Sequence, residues 1–301
     1  MNEERARNFI YRNARPLDLY RWRYLFEGGS REDVLNALSA YQNADGGFGH
    51  ALEPDCWNPH SAPMQTWVAT RILEEVGLED PRHPIVQGIL RYLSSGQNFD
   101  GHTWANTLPS NADYPHAPWW APEAGPETAY NPTASLAGFA LRFAEKGGAL
   151  HGTARRVAQE AYLYLKEHFP LPSMHTASCF VELYEALRAG GVEDLLDLKA
   201  FEGLLHEQIR GLITYDASKW ATEYVCRPSQ FVLSRESAFF AENREVCEKE
   251  CRFLSASQEA DGSWGITWAW AAYPEAWSVS KIWWKADQII QNVRFARAIL
   301  G

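Results

Sequence analysis

The chain has no run approaching the roughly 18 apolar residues that a membrane span needs. Its 28 Lys and Arg are outnumbered by 38 Asp and Glu, for a formal charge of −10. No block of basic residues occurs, which excludes the clustered cations on which nucleic-acid and anionic-membrane binding depend. The opening stretch MNEERARNFIYRNARP has no apolar core, so no signal peptide is expected. Cysteine is scarce, with five residues and no Cys-x-x-Cys. This points to a reducing, cytoplasmic setting rather than a disulfide framework. Cys247 and Cys251 share a helix face at i, i+4, but two soft ligands do not make a metal site, and they read as buried thiols. The segment GGFG lacks both the Lys and the preceding strand of a phosphate loop, and no Gly-x-Ser-x-Gly elbow is present. No stretch sustains period-two alternation between turn signals, so no sheet is expected.

Aromatics, by contrast, are plentiful: 13 Trp, 13 Tyr and 14 Phe. Many of the tryptophans fall outside periodic helical segments, where large rings must bury themselves or line something. The other conspicuous feature is repetition. ALSAYQNADGGFG (37–49) returns as FLSASQEADGSWG (253–265), and more loosely as YLSSGQNFDGHTW (92–104). Each is an amphipathic segment, then Gln, an Asp-Gly turn and an aromatic. LHEQIRGLITYDASKW (205–220) reads as a degraded copy, with Asp216 and Trp220 in place of the turn and ring. Gln can donate and accept at once, so it can tie a helix end to a neighbouring hairpin's backbone. Asp-Gly supplies the turn.

Between these copies lie segments such as 61–77, 131–147 and 174–191, each opening on small polar residues or Pro and closing on Gly. Those are helix start and stop signals. The pattern predicts helices over 3–27, 31–42, 62–77, 83–95, 131–147, 151–168, 173–190, 195–210, 235–257 and 285–300, with one or two more in 215–234. Stacked hairpins with no obvious capping repeat imply an all-α, single-domain (α/α)6-type toroid over residues 1–301.

Gln258-x-x-Asp261-Gly262-x-Trp264 and its copies resemble the QW repeat of the prenyltransferase and squalene-oxidase-repeat superfamily. That group includes terpenoid cyclases and protein prenyltransferase β-subunits, all α/α toroids. The resemblance implies an aromatic central cavity suited to isoprenoid-like ligands. The reactive motifs of that superfamily are absent: there is no Asp-x-Asp, no Asp-Asp pair, and Asp55-Cys56 are adjacent where the zinc-binding relatives space their ligands. The chain therefore departs from the standard enzyme classes, and no metal or cofactor is expected.

Three constellations could carry chemistry. GHALEPDCWNPHSAP (49–63) gathers His50, Glu53, Asp55 and His60. A carboxyl held near apolar rings gains a raised pKa and can act as a general acid. The bland alternative has Glu53 and Asp55 capping the next helix or pairing with arginines. Segment 99–132 is long for a helix connection and holds six prolines, Trp119, Trp120, Glu123, Glu127 and Tyr130. Segment 261–287 concentrates Trp264, Trp268, Trp270, Trp277, Trp283 and Trp284. Such rings stabilise cations, stack on sugars, or simply pack. The expected function is binding or cyclisation of an isoprenoid-like apolar ligand, with Glu53 or Asp55 as proton donor. His50, His60, Trp119, Trp120, Glu127, Tyr130, Trp268 and Trp270 would contact the ligand. The alternatives are a carbohydrate-active hydrolase or lyase, which needs two carboxyls about 5–10 Å apart, and a binding scaffold without chemistry. The oligomeric state is left open.

Overall fold

The computed structural model describes residues 1–122, 129–192 and 194–301. Among them the regular structure is entirely helical, with eleven α-helices, short 3-10 turns and no strand. The chain divides into two compact units, Met1–Ala37 with Leu212–Gly301, and Leu38–Gly211.

In the first unit, α1 (Glu3–Asn13) and α2 (Pro16–Glu27) are two helices where the pattern predicts one over 3–27. Pro16 is the cause: the residue before a proline is driven from the helical region, and Arg15 sits at φ −60, ψ 154. The chain continues through α3 (Arg31–Ser39), which runs into the second unit. α10 (Phe240–Ser257) and α11 (Pro274–Leu300) complete the first unit, with α11 packed on α1, α2 and α10. α11 begins eleven residues before the predicted 285 because Pro274 takes the first helical position, where its missing N–H costs nothing. Segment 215–234 is turns and one 3-10 turn, Pro228–Gln230, in place of the predicted helices. Asp216 Oδ1 there accepts from Ser218 N at 3.0 Å and Ser218 Oγ at 2.7 Å, closing a turn where a helix would need to continue.

The second unit holds α4 (Pro63–Glu75), α5 (Pro84–Ser94), α6 (Thr133–Phe143), α7 (Ala149–Glu167), α8 (Met174–Gly190) and most of α9 (Leu198–Leu212). α4, α6 and α8 form one row, and α5 and α7 pack beside it. α5 shows why these segments fold: His83 Nδ1 accepts from Ile85 N at 3.3 Å, Pro84 opens the helix, and Ile85, Val86, Ile89, Leu90 and Leu93 make its buried face. In α8, Ser173 Oγ caps Thr176 N, and Gly191 at φ 64 ends the helix.

The repeated turn has the same geometry in each unit. Gln42 Nε2 donates to the carbonyls of Gly46 at 2.9 Å and Ile85 at 3.1 Å. Gln258 Nε2 donates to Gly262 O at 2.9 Å and Asn2 O at 3.1 Å, while its Oε1 accepts from Asn2 N at 2.6 Å. Asp45 and Asp261 each accept from the backbone N–H two residues on. Gly46 and Gly262, at φ 96 and 94, press against a helix backbone, at Gly88 and Arg5 respectively. Both contacts fall three residues after the one that Gln ties. Gln208, in the degraded copy, also donates and accepts, pairing with Leu171 O at 2.8 Å and Leu171 N at 2.7 Å. In the looser copy Asp100 closes the turn onto His102 N and Thr103 N, while Gln97 is exposed. All five cysteines are buried free thiols, and no described helix is long and apolar enough to cross a membrane.

Candidate functional site

The loop after the first repeated turn leads directly into α4. Phe48 pairs with Gln42 and Ala62 through isolated bridges, and its N–H donates to Thr66 Oγ1 at 3.1 Å. The chain then turns through His50 and Ala51, two successive non-glycine residues at φ 59 and 58. Each left-handed residue of this kind costs roughly 1–2 kcal/mol, so neighbouring contacts must hold the loop in place.

Those contacts come from α4 and from segment 108–121. Gln65 on α4 accepts from Glu53 N at 2.6 Å through Oε1 and donates to Cys56 O at 3.0 Å through Nε2. Ala117 N donates to Asp55 O at 2.8 Å, and Trp57 N donates to Pro115 O at 2.9 Å. Asn58 Nδ2 donates to Ser110 Oγ at 2.8 Å and Asn111 Oδ1 at 2.9 Å, and Asn111 Nδ2 donates to Trp120 O at 2.8 Å. The structure thus brings together two of the three segments singled out in the sequence. The short 3-10 turns Pro109–Asp113 and Pro118–Trp120 give the second segment its shape.

Both acids are withdrawn from solvent, Glu53 at 5% exposure and Asp55 at 2%. Glu53 Oε2 accepts from Asp55 N at 3.0 Å. Neither caps α4, whose N-cap is Ala62 without a side-chain hydrogen bond. Cys56 follows them, and burial pushes its thiol pKa to about 12, with the nearby Glu53 and Asp55 adding to the rise and a backbone bond at Asn58 opposing it. The surroundings of Cys56 therefore disfavour a thiolate.

The surrounding residues divide. His50 is exposed, with Nε2 at 3.0 Å from Asn43 Oδ1, and His60 is exposed beside Tyr114 Oη at 3.4 Å. Trp119 presents 41% of its surface to solvent. Trp120 is half-buried, and its Nε1 is enclosed without a hydrogen-bond partner. Tyr130 is buried against Tyr164 and Phe180, with ring centroids at 5.0 and 6.1 Å. Burial raises its pKa, with Glu160, Tyr164 and Asp100 adding and Arg156 opposing. Glu123 and Glu127 lie outside the described residues.

Trp268 and Trp270 belong to the other unit. Trp268 packs edge-on against Tyr224 and Trp284, at 5.5 and 5.4 Å. Trp270 is fully buried beside Tyr273 and Trp277. Among the described residues no group of three or more His, Cys, Asp or Glu is placed to hold a metal ion.

Sequence reasoning missed Gln65, Asn58 and Asn111, the three amides that fix the loop. Gln65 carried a usable signal, since a polar side chain between Met64 and Trp67 in a helix with so many buried positions needs a buried partner. Compared with known proteins, the chain matches no family model, no curated protein and no solved structure.

Proposed function

We propose that this protein is a helical-hairpin toroid of the QW-repeat type, working in the cytoplasm, that takes a small, mainly apolar, isoprenoid-like ligand. Glu53 or Asp55 would be its proton donor. The observation that carries this reading is the loop itself: two carboxyls, at 5% and 2% exposure, follow two left-handed residues and are braced by a buried amide. Backbone held in costly conformations beside buried ionisable groups is a feature of sites more than of plain connections. Reducing conditions suit five free thiols.

A carbohydrate reading has one observation in its favour. Trp119 exposes its indole only two residues from Ala117, whose N–H binds Asp55 O. An exposed indole on the segment that pairs with the backbone of the acid loop is a platform on which a sugar ring can stack.

The test is thermal denaturation with farnesol and with a neutral oligosaccharide, run on the native protein, Glu53→Gln and Asp55→Asn, with product analysis after incubation with linear isoprenoids. The proposal expects farnesol to raise Tm, and a cyclised or isomerised product that one of the two variants abolishes without losing the Tm shift. A shift by oligosaccharide alone favours the carbohydrate reading. No shift and no product with either would leave a scaffold without chemistry, and the proposal would be wrong.

A further inference from the structure

A cavity of about 280 Å3 lies between the C-terminal halves of α4 and α8 and the length of α6 from Ser135 to Phe143, whereas the acid loop leads into the N-terminal end of α4. Its volume is at the small end of ligand pockets, which run from roughly 300 to 1,000 Å3.

The packing explains why the cavity stays open. α6 and α8 close tightly because Gly138 has no side chain; a Cβ there would lie 2.9 Å from Ala186 Cβ. α4 meets α8 differently, through long polar side chains. Trp67 Nε1 donates to Glu182 Oε2 at 2.7 Å, Arg71 Nε lies 3.4 Å from Glu182 Oε1, and the Arg71 guanidinium sits 5.1 Å from the centre of the Trp67 ring. Side chains of that length bridge the two helices and leave space beside the bridge.

The wall chemistry is unbalanced. Three glutamates, Glu74, Glu182 and Glu185, line the cavity against two arginines, Arg71 and Arg142. Both arginines have carboxylate partners: Arg71 faces Glu182, and Arg142 Nη2 lies 3.0 Å from Glu79 Oε1. Glu185 has a weaker counter-charge, Arg188 on its own helix at 3.6 Å. Burial raises the Glu185 pKa, with Arg188 opposing and Glu202 adding to the rise.

A second observation, independent of charge, also points to a ligand. Ser135 lines the same cavity at 6% exposure, and its Oγ makes no hydrogen bond of acceptable geometry, the Cys179 thiol being beside it. A buried hydroxyl left in that state keeps the cost of its lost hydration uncompensated. Leu73 and Phe139 supply an apolar surface.

We propose that this cavity binds a small amphipathic amine. The ammonium lies at Glu185, the hydrocarbon part packs on Leu73 and Phe139, and a second polar atom gives Ser135 the partner it lacks. An anion is disfavoured by the three carboxylates, and a neutral molecule gains no attraction from the half-exposed Glu185 carboxylate. This site is separate from the acid loop and does not depend on the function proposed for it.

The experiment uses tyramine as probe, with tyrosol as its neutral counterpart and 3-(4-hydroxyphenyl)propanoate as the anion, each titrated by calorimetry into the full chain. The expected result is saturable one-to-one binding of tyramine, with both controls at least tenfold weaker. Glu185→Gln should lose at least tenfold in tyramine affinity while keeping the native circular dichroism and Tm. Ala189→Phe, at an exposed position on the cavity rim, should block binding by filling space without entering the core. The proposal is overturned if the folded native protein shows no saturable tyramine binding. It is equally overturned if tyrosol binds as well, or if Glu185→Gln changes nothing.

Discussion

Replacing Gly88 by Ala should lower stability in the native sequence and raise it once Gln42 is removed. Gly88 lies within α5, and a Cβ built on it would meet Gln42 Nε2 at 2.3 Å. That amide must then leave its place, breaking its bonds to Gly46 O and Ile85 O. At roughly 1 kcal/mol for each hydrogen bond the loss is about 2 kcal/mol. Against it, Ala in a helix interior is better than Gly by about 1 kcal/mol. The net expectation for Gly88→Ala is about 1 kcal/mol of destabilisation, a fall in Tm on the order of 2 °C. Gln42→Ala alone should cost about 2 kcal/mol through the same two bonds. In the Gln42→Ala background the clash is gone, so Gly88→Ala should stabilise by about 1 kcal/mol. The coupling across the cycle is therefore about 2 kcal/mol. Urea denaturation of the four proteins, with the slope checked for constancy, reads all these quantities. Additive effects of the two substitutions would refute the reasoning, because the turn would then not be docked on α5 through Gln42.

Two further outcomes follow from buried charge and buried thiols. Asp18 is fully buried, with Oδ2 at 2.8 Å from Arg15 Nε and Oδ1 at 3.0 Å from Arg21 Nη1. Asp18→Ala should cost roughly 3–5 kcal/mol by urea denaturation, since two buried guanidiniums lose a partner; a cost under about 1 kcal/mol would show the pair to be dispensable. Burial pushes the thiols of Cys56 and Cys226 up from 9.0 to about 12. The folded state thus keeps protons that the unfolded chain releases, and stability present in full below about pH 9 falls as pH rises towards 12. Each thiol adds a slope of about 1.4 kcal/mol per pH unit in that window. Denaturation at pH 8 and pH 10.5 checks this, and replacing both cysteines with Ala should flatten the decline by the matching amount.

The helical class, the turn repeats and most helix boundaries were legible in the residues. Each depends on chemistry within a few positions: Pro and Gly at helix ends, apolar faces at helical spacing, Asp accepting from a backbone two residues on. The role assigned to Gln in the turn is likewise what Gln42, Gln208 and Gln258 do, donating to or pairing with the backbone of another segment. Boundaries went astray where a local signal was overridden. Aromatic density hid the start of α11 at Pro274, and the polar turn at Asp216 stood where helix was expected.

Only the tertiary structure decided what the candidate residues touch. A carboxylate in a Pro- and aromatic-rich loop reads the same whether it faces water or is buried, because burial is set by segments remote in sequence. Glu53 and Asp55 are covered by contacts from α4 and from Pro115 and Ala117, about sixty residues further along the chain for the latter pair. Tyr130 became a packed ring, and His50 and His60 surface groups, for the same reason. The cavity beside α4, α6 and α8 had no sequence signal, since Arg71, Ser135 and Glu185 look like ordinary helix residues one at a time. Their convergence follows from how three helices pack, and from one missing side chain at Gly138.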